Sequence, residues 1–189
     1  KLNKLKNKLL NARQKRTLPF FDGKAQTDLN AYWLSTLNFV AEVLDKEDWQ
    51  KIIKHNFKLI KNQADDEIFH CYKDKDGVKV FLEDYVYISQ LMINLYETSG
   101  KISYLNDAIK TMNKTWDMFY DKRIKMLQKN PINQNDLFVP PSDINDHNIP
   151  NGNSIFLMNS KKLEAITGDK KWKEINKELI QSFHSFLNL

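Results

Sequence analysis

The sequence predicts an all-α fold of antiparallel helical hairpins, and three observations carry that prediction. Apolar residues recur at helical spacing through seven segments, with no long alternating tract of the kind a strand needs. Only five Gly and five Pro punctuate 189 residues, too few for the many turns of a sandwich or barrel. Two helical segments end at Ser99-Gly100 and Thr167-Gly168, where Gly takes the left-handed geometry that closes a helix. Hydrophobic residues at 41% and charged residues at 28% exclude global disorder and leave one globular domain over residues 1–189.

In chain order, residues 1–12 read as a basic helix with Leu2, Leu5 and Leu9 at helical spacing, closed by the polar, Pro-containing stretch 17–28. Residues 28–44 form the next, with Asp28 as N-cap and Trp33, Leu37, Val40 and Leu44 on one face. Residues 48–61 follow almost at once, striped by Trp49, Ile52, Ile53, Phe57 and Ile60, so the two must run antiparallel. The apolar runs 68–72 and 78–81 flank Asp76-Gly77 and predict one small β-hairpin. Helices at 82–99 and 102–119, then 153–167 and 169–187, make two further pairs. The segment 95–104 lies over 163–172 with Gly100 on Gly168 and Tyr104 on Trp172, and Trp49 holds the same place in the first pair, so the chain holds three related hairpins. The anchors at 49, 104 and 172 are spaced too widely and unevenly for a tight solenoid. The extra length sits in 62–81 and 121–152, each before the first helix of a pair, where long loops commonly carry binding chemistry.

The net charge of +5 is local, since residues 1–16 hold seven Lys or Arg and no acid, while the remaining 173 residues carry a net −2. No basic stripe with interleaved aromatics follows Arg16, which argues against nucleic acid. No apolar run approaches the length of a membrane span. Cys71 is the sole cysteine and reads as a buried hydrophobe in a reducing, cytoplasmic setting. The chain lacks an initiating Met and is expected to be a piece of a longer protein.

Phe81-Leu82-Glu83-Asp84-Tyr85, followed by Leu91 and Leu95-Tyr96-Glu97, resembles a segment of the thioredoxin-domain proteins related to spermatogenesis-associated protein. The run Arg13, Arg16, Pro19, Asp22, Lys24, Thr27 and Asn30, and the block Pro150-Asn151-Gly152-Asn153-Ser154, are similar to further motifs of that family in the same order. The resemblance covers roughly residues 10–185 and implies part of an (α/α)6 toroid, similar to N-acylglucosamine 2-epimerases and six-hairpin glycosidases. It implies a carbohydrate-active type of cleft, with the remainder of the toroid and a thioredoxin-like domain as partners; no thioredoxin motif lies in this chain. The family's Gly-rich aromatic strand has no counterpart after Asp121.

Sugar chemistry in such a cleft needs an acid with a raised pKa, a partner base, and aromatic or amide groups around a ring. The acids singled out are Glu83 and Asp84, paired with Asp143 or Asp146. Arg16, Asp22, Lys24, Asn30, Tyr85, His147, Asn151, Asn153 and Ser154 are the candidate substrate contacts, with Trp33, Tyr85 or Tyr87 as stacking surfaces. All the polar ones lie at or just before a helix start, where free amide hydrogens favour a polar ligand and where a capping role is the competing reading. Asp143, Asp146 and His147 lack a fourth ligand at diagnostic spacing, so no metal and no cofactor is expected. His70 reads as a surface or packing residue. The alternative to an enzyme is a non-catalytic protein-binding module with an apolar open edge.

Overall fold

The computed structural model describes residues 1–61, 67–71, 80–133, 144–146 and 148–187. Within them lie α1 (Leu2–Gln14), α2 (Thr27–Val43), α3 (Glu47–Lys61), α4 (Leu82–Ser99), α5 (Ile102–Phe119), β1 (Tyr120–Asp121), β2 (Met126–Leu127), α6 (Gly152–Thr167) and α7 (Lys170–Leu187). No helix among the described residues is long and apolar enough to cross a membrane.

Three antiparallel pairs form, α2 with α3, α4 with α5 and α6 with α7, as the short connections require. One helix of each pair also packs side by side with its counterparts, in the order α2, α4, α6. These three make an inner layer, and α3, α5 and α7 back it. The inner helices are parallel: Asp28 of α2 meets Asp84 of α4 near their first turns, Gly152 of α6 lies against Leu82, and further along Asn38 donates to the Asn94 carbonyl (3.3 Å). Their N-termini therefore share one end of the arc, and the long segments preceding α4 and α6 arrive at that end.

The central helix is α4, with eleven of its 18 residues buried, including Tyr85, Val86, Leu91 and Leu95. Core polar groups lock its neighbours to it. Asn159 of α6 donates to the Val86 carbonyl (2.8 Å), and Ser160 binds Asn176 of α7. Gly100 and Gly168 both close their helices at φ 67°, the geometry expected of them. The anchor positions also fall into place, with Trp172 buried, Trp49 and Tyr104 packed on the core, and Phe57 edge-on to Tyr104 at 5.6 Å.

Two local readings are corrected, both in α2, and a strand pair is added. The apolar stripe of α2 is split: the buried residues are Thr27, Ala31, Leu34, Ser35, Asn38 and Ala41, Leu37 of the stripe is partly buried against the core, and Trp33 and Leu44 are 53% and 52% exposed. Apart from Leu34 the buried positions are small or polar, and Trp33 and Leu44 are left exposed, as are Ile52 and Leu59 of α3. The N-cap of α2 is Gln26, with Asp28 already inside the first turn. Among the described residues the strand pair is β1 with β2, antiparallel with Tyr120 opposite Leu127, directly after α5, where the residue pattern carries no strand signal. Of the hairpin placed at 68–81, residues 72–79 lie outside the described residues; Cys71 makes an isolated antiparallel bridge to Gln26. The helix α1 buries no residue.

A methyl group on Gly152 would sit 2.6 Å from both Cγ and Cδ2 of the buried Leu82, at the crossing of α6 and α4. Gly152→Ala is therefore expected to lower stability by about 1–3 kcal/mol, read as a reduced denaturation midpoint.

Candidate functional site

The shared end of the inner layer is organised by one carboxylate. Asp84 is 0% exposed and sits in the first turn of α4, where a negative charge suits the helix dipole. Its Oδ2 accepts from the Phe81 amide (2.8 Å), closing the start of its own helix. Its Oδ1 accepts from the Asp28 amide of α2 (3.2 Å), and His70 Nδ1 lies 3.0 Å from the same oxygen. His70 Nε2 faces the Gln26 side chain at 3.1 Å, the His70 carbonyl accepts from the Thr27 amide (2.7 Å), and the His70 ring is edge-on to Phe81. Asp84 and His70 thus join two helix starts and the segment 67–71 into one clamp.

Charge is concentrated here. The hydrogen bond to Asp84 raises the His70 pKa above its ordinary value, assisted by the charges of Asp28 and Glu83. Burial raises the Asp28 carboxyl, and the Asp84 charge adds to that. Burial likewise raises Glu83, opposed by the Lys129 charge and reinforced by Asp84 and Asp28. Glu83 Oε2 is buried without a hydrogen-bond partner. Among the described residues, Asp28, His70 and Asp84 bring one ligating atom each within 4.8 Å of one another. With Asp84 already engaged by Phe81, Asp28 and His70, the cluster is complete as a hydrogen-bonded clamp.

The start of α6 is a second polar group. Asn151 caps it by accepting from the Ser154 amide (3.0 Å), while its own amide nitrogen donates to the Ile144 carbonyl, to Asp146 Oδ1 and to Ser154 Oγ. Asn153 is buried and holds Leu127 of β2 by both backbone groups (3.0 and 2.9 Å), taking the part of a strand partner. Tyr87 joins this group to α4, donating to the Pro150 carbonyl (2.6 Å) with its ring 5.0 Å from that of Tyr32.

The candidate residues divide accordingly. Glu83, Asp84 and Asn30 lie at the α2–α4 start, where Asn30 donates to the Gln26 carbonyl (2.6 Å), and Asp146, Asn151, Asn153 and Ser154 lie at the α6 start. Tyr85 is buried edge-on to Phe119 at 5.5 Å, its phenol pushed up to about 12 by burial, and has no open face for a ring. Arg16, Asp22 and Lys24 are exposed on the stretch before α2, where Asp22 and Lys24 pair with each other. Asp143 and His147 lie outside the described residues. The sequence reads Asp28 as a cap and His70 as a surface or packing residue. No spacing rule connects positions 28, 70 and 84, so only the fold could bring them together.

No protein-family model and no curated protein matches the chain. Solved structures do. The chain is similar to a glycoside hydrolase family 76 mannosidase of Bacteroides thetaiotaomicron, with a TM-score of 0.66 at 16% identity, over 86% of this chain and 44% of that one. It is similar to an inactive variant of an α-1,6-mannanase of Salegentibacter in complex with α-1,6-mannotriose, with a TM-score of 0.67 at 10% identity, over 86% and 47%. The fold is part of an (α/α) toroid. A cellobiose 2-epimerase of Spirochaeta thermophila shares this toroid at a TM-score of 0.56 and 13% identity, over 84% of this chain and 42% of that one. The chain spans less than half the length of each of these three proteins.

Two outcomes test the clamp. A His pKa raised by folding stabilises the native state fully below the unfolded value of about 6.5, and that contribution is lost as pH rises through the folded value. Thermal melts of the native chain should therefore fall with increasing pH above neutrality, and His70→Gln should flatten that limb. Asp84→Ala, which strands His70 and two amide donors, should cost roughly 3–5 kcal/mol in chemical denaturation.

Proposed function

We propose that this toroid portion carries one wall of a carbohydrate-active cleft, in which Glu83 is the general acid acting on a glycosidic oxygen. The observation that carries the reading is the Glu83 carboxyl itself: its pKa is raised by burial, and its Oε2 is uncommitted at the end of the arc where the inner helices begin. Burial favours the protonated form of such a carboxyl, the form that can deliver a proton to a leaving group. Asp84, its neighbour in sequence, is held by the clamp and acts as a positioning residue. The second carboxylate that glycoside chemistry needs is available at the same end from Asp28 or Asp146, whose charge also reaches the Tyr87 phenol. The Salegentibacter mannanase supports the reading, since its inactive variant replaces two adjacent aspartates and binds α-1,6-mannotriose. Glu83 and Asp84 are an adjacent acidic pair at the start of an inner helix. The remainder of the toroid, and on the family resemblance a thioredoxin-like domain, would complete the opposite wall.

Chromatography of α-1,6-mannotriose and cellobiose after incubation with the chain tests this. The expected outcome is a changed saccharide, with the rate cut about 10²- to 10⁴-fold in Glu83→Gln. Turnover indifferent to Glu83→Gln would remove the residue from its role, and the absence of turnover of both sugars would remove the catalytic reading.

A further inference from the structure

A second polar surface lies deeper along the same inner layer. On α4 the residues Glu83, Tyr87, Gln90, Asn94 and Glu97 recur every three or four positions and so share one face of a helix whose other residues are mostly apolar and buried. Glu83 and Tyr87 belong to the helix start already described. From Gln90, about 10 Å further along the axis, the face opens into a groove of about 310 Å³ between α2, α4 and α6. Its walls include Tyr32 and Phe39 of α2, Gln90, Asn94 and Glu97 of α4, and Lys162 of α6. The volume falls at the lower end of that of ordinary small-molecule sites.

The chemistry of the lining selects a class of ligand. Lys162 is already answered, by Glu97 Oε2 at 2.7 Å and Asn94 Oδ1 at 3.0 Å, and Glu42 adds a further carboxylate to the wall, so the groove has no surplus positive charge for an anion. Asn94 Nδ2 in turn donates to Ser35 Oγ at 2.6 Å, which fixes the amide across the α2–α4 seam. Gln90 Oε1 is different: it is buried and accepts from nothing. A buried acceptor without a donor calls for a ligand hydroxyl. Phe39 is 64% exposed and lines the groove together with these amides. Hydroxyl donors around an apolar ring face describe a neutral sugar.

We propose that the groove is a second carbohydrate-binding site, for a neutral hexose-type ring, separate from the end that carries Glu83. Gln90 accepts a ring hydroxyl, Phe39 and Tyr32 lie along the ring, and the fixed Asn94–Lys162–Glu97 group sets its orientation. The assignment stands on the groove's own residues and does not require catalysis at Glu83.

The experiment is a nuclear magnetic resonance titration of the full chain with methyl α-mannoside, methyl β-glucoside and glucuronate, repeated on Gln90→Leu, Phe39→Ala and Glu83→Gln. A neutral glycoside should shift the signals of Gln90 and Asn94. Gln90→Leu or Phe39→Ala should weaken binding about tenfold, as loss of one good contact does, and Glu83→Gln should leave it unchanged. Signal dispersion of the free variants reports that they fold, and Phe39→Ala alters an exposed side chain, so it keeps the test open if Gln90→Leu does not fold. Shifts confined to the Glu83 end and abolished by Glu83→Gln overturn this second site while leaving the proposed activity intact. Binding of glucuronate alone overturns the neutral class, and no shift with any of the three overturns the site. Shifts in the groove without any saccharide turnover uphold it while the catalytic reading fails.

Discussion

The arrangement of this chain depends on the Asp84 carboxylate. Removing a full charge from water is costly unless hydrogen bonds and an opposite charge replace the lost hydration, and here two backbone amides and the His70 ring do so. Because one of those amides belongs to α2 and the other to the start of α4, satisfying the charge fixes where both helices begin. The His70 carbonyl receives the Thr27 amide, so the segment leading out of α3 toward α4 is drawn to the same place. The parallel inner layer follows from that convergence together with the close seat of Gly152 on Leu82.

Adjacent acids acquire different characters from this geometry. Successive residues on a helix are turned by about 100°, so Asp84 and Glu83 cannot serve the same surroundings. Asp84 is wholly engaged, whereas Glu83 is desolvated, keeps one oxygen unbonded and has its pKa raised by burial. The clamp places a desolvated carboxyl at the start of an inner helix and is itself closed by its own hydrogen bonds. The block at 150–154 does comparable work for α6, where Asn151 and Asn153 spend their side chains on a helix cap and on Leu127 of β2. Capping and positioning account for most of the polar residues that crowd these helix starts.

Much of the fold was legible in the residues. The bounds of α4 and α5 follow from apolar spacing and from Ser99-Gly100, and the repeated anchors Trp49, Tyr104 and Trp172 marked equivalent places in three hairpins. The face of α2 was not legible, because the bulky stripe through Trp33 looks like a core face in sequence and becomes one only where a neighbour covers it. The two-residue strands β1 and β2 carry too short a pattern to register, and they are held by Asn153 from a distant helix start. Of the site, Glu83 and Asp84 were found through their place in a motif and at a helix start. Their separation into an uncommitted carboxyl and a clamped one could not be, since it turns on partners 14 and 56 residues away.

By itself, the sequence determined seven helices, the pairing of six of them into three hairpins and the absence of any apolar run long enough for a membrane span, because periodicity, breaker residues and short connections act over a few neighbouring positions. Only the tertiary structure decided which helices form the inner layer, which carboxylate is neutralised by His70, and that Gln90 is left with an unanswered acceptor beside Phe39 and Asn94. Those outcomes depend on desolvation and on hydrogen-bond partners distant in the chain, and neither exists until the helices have packed.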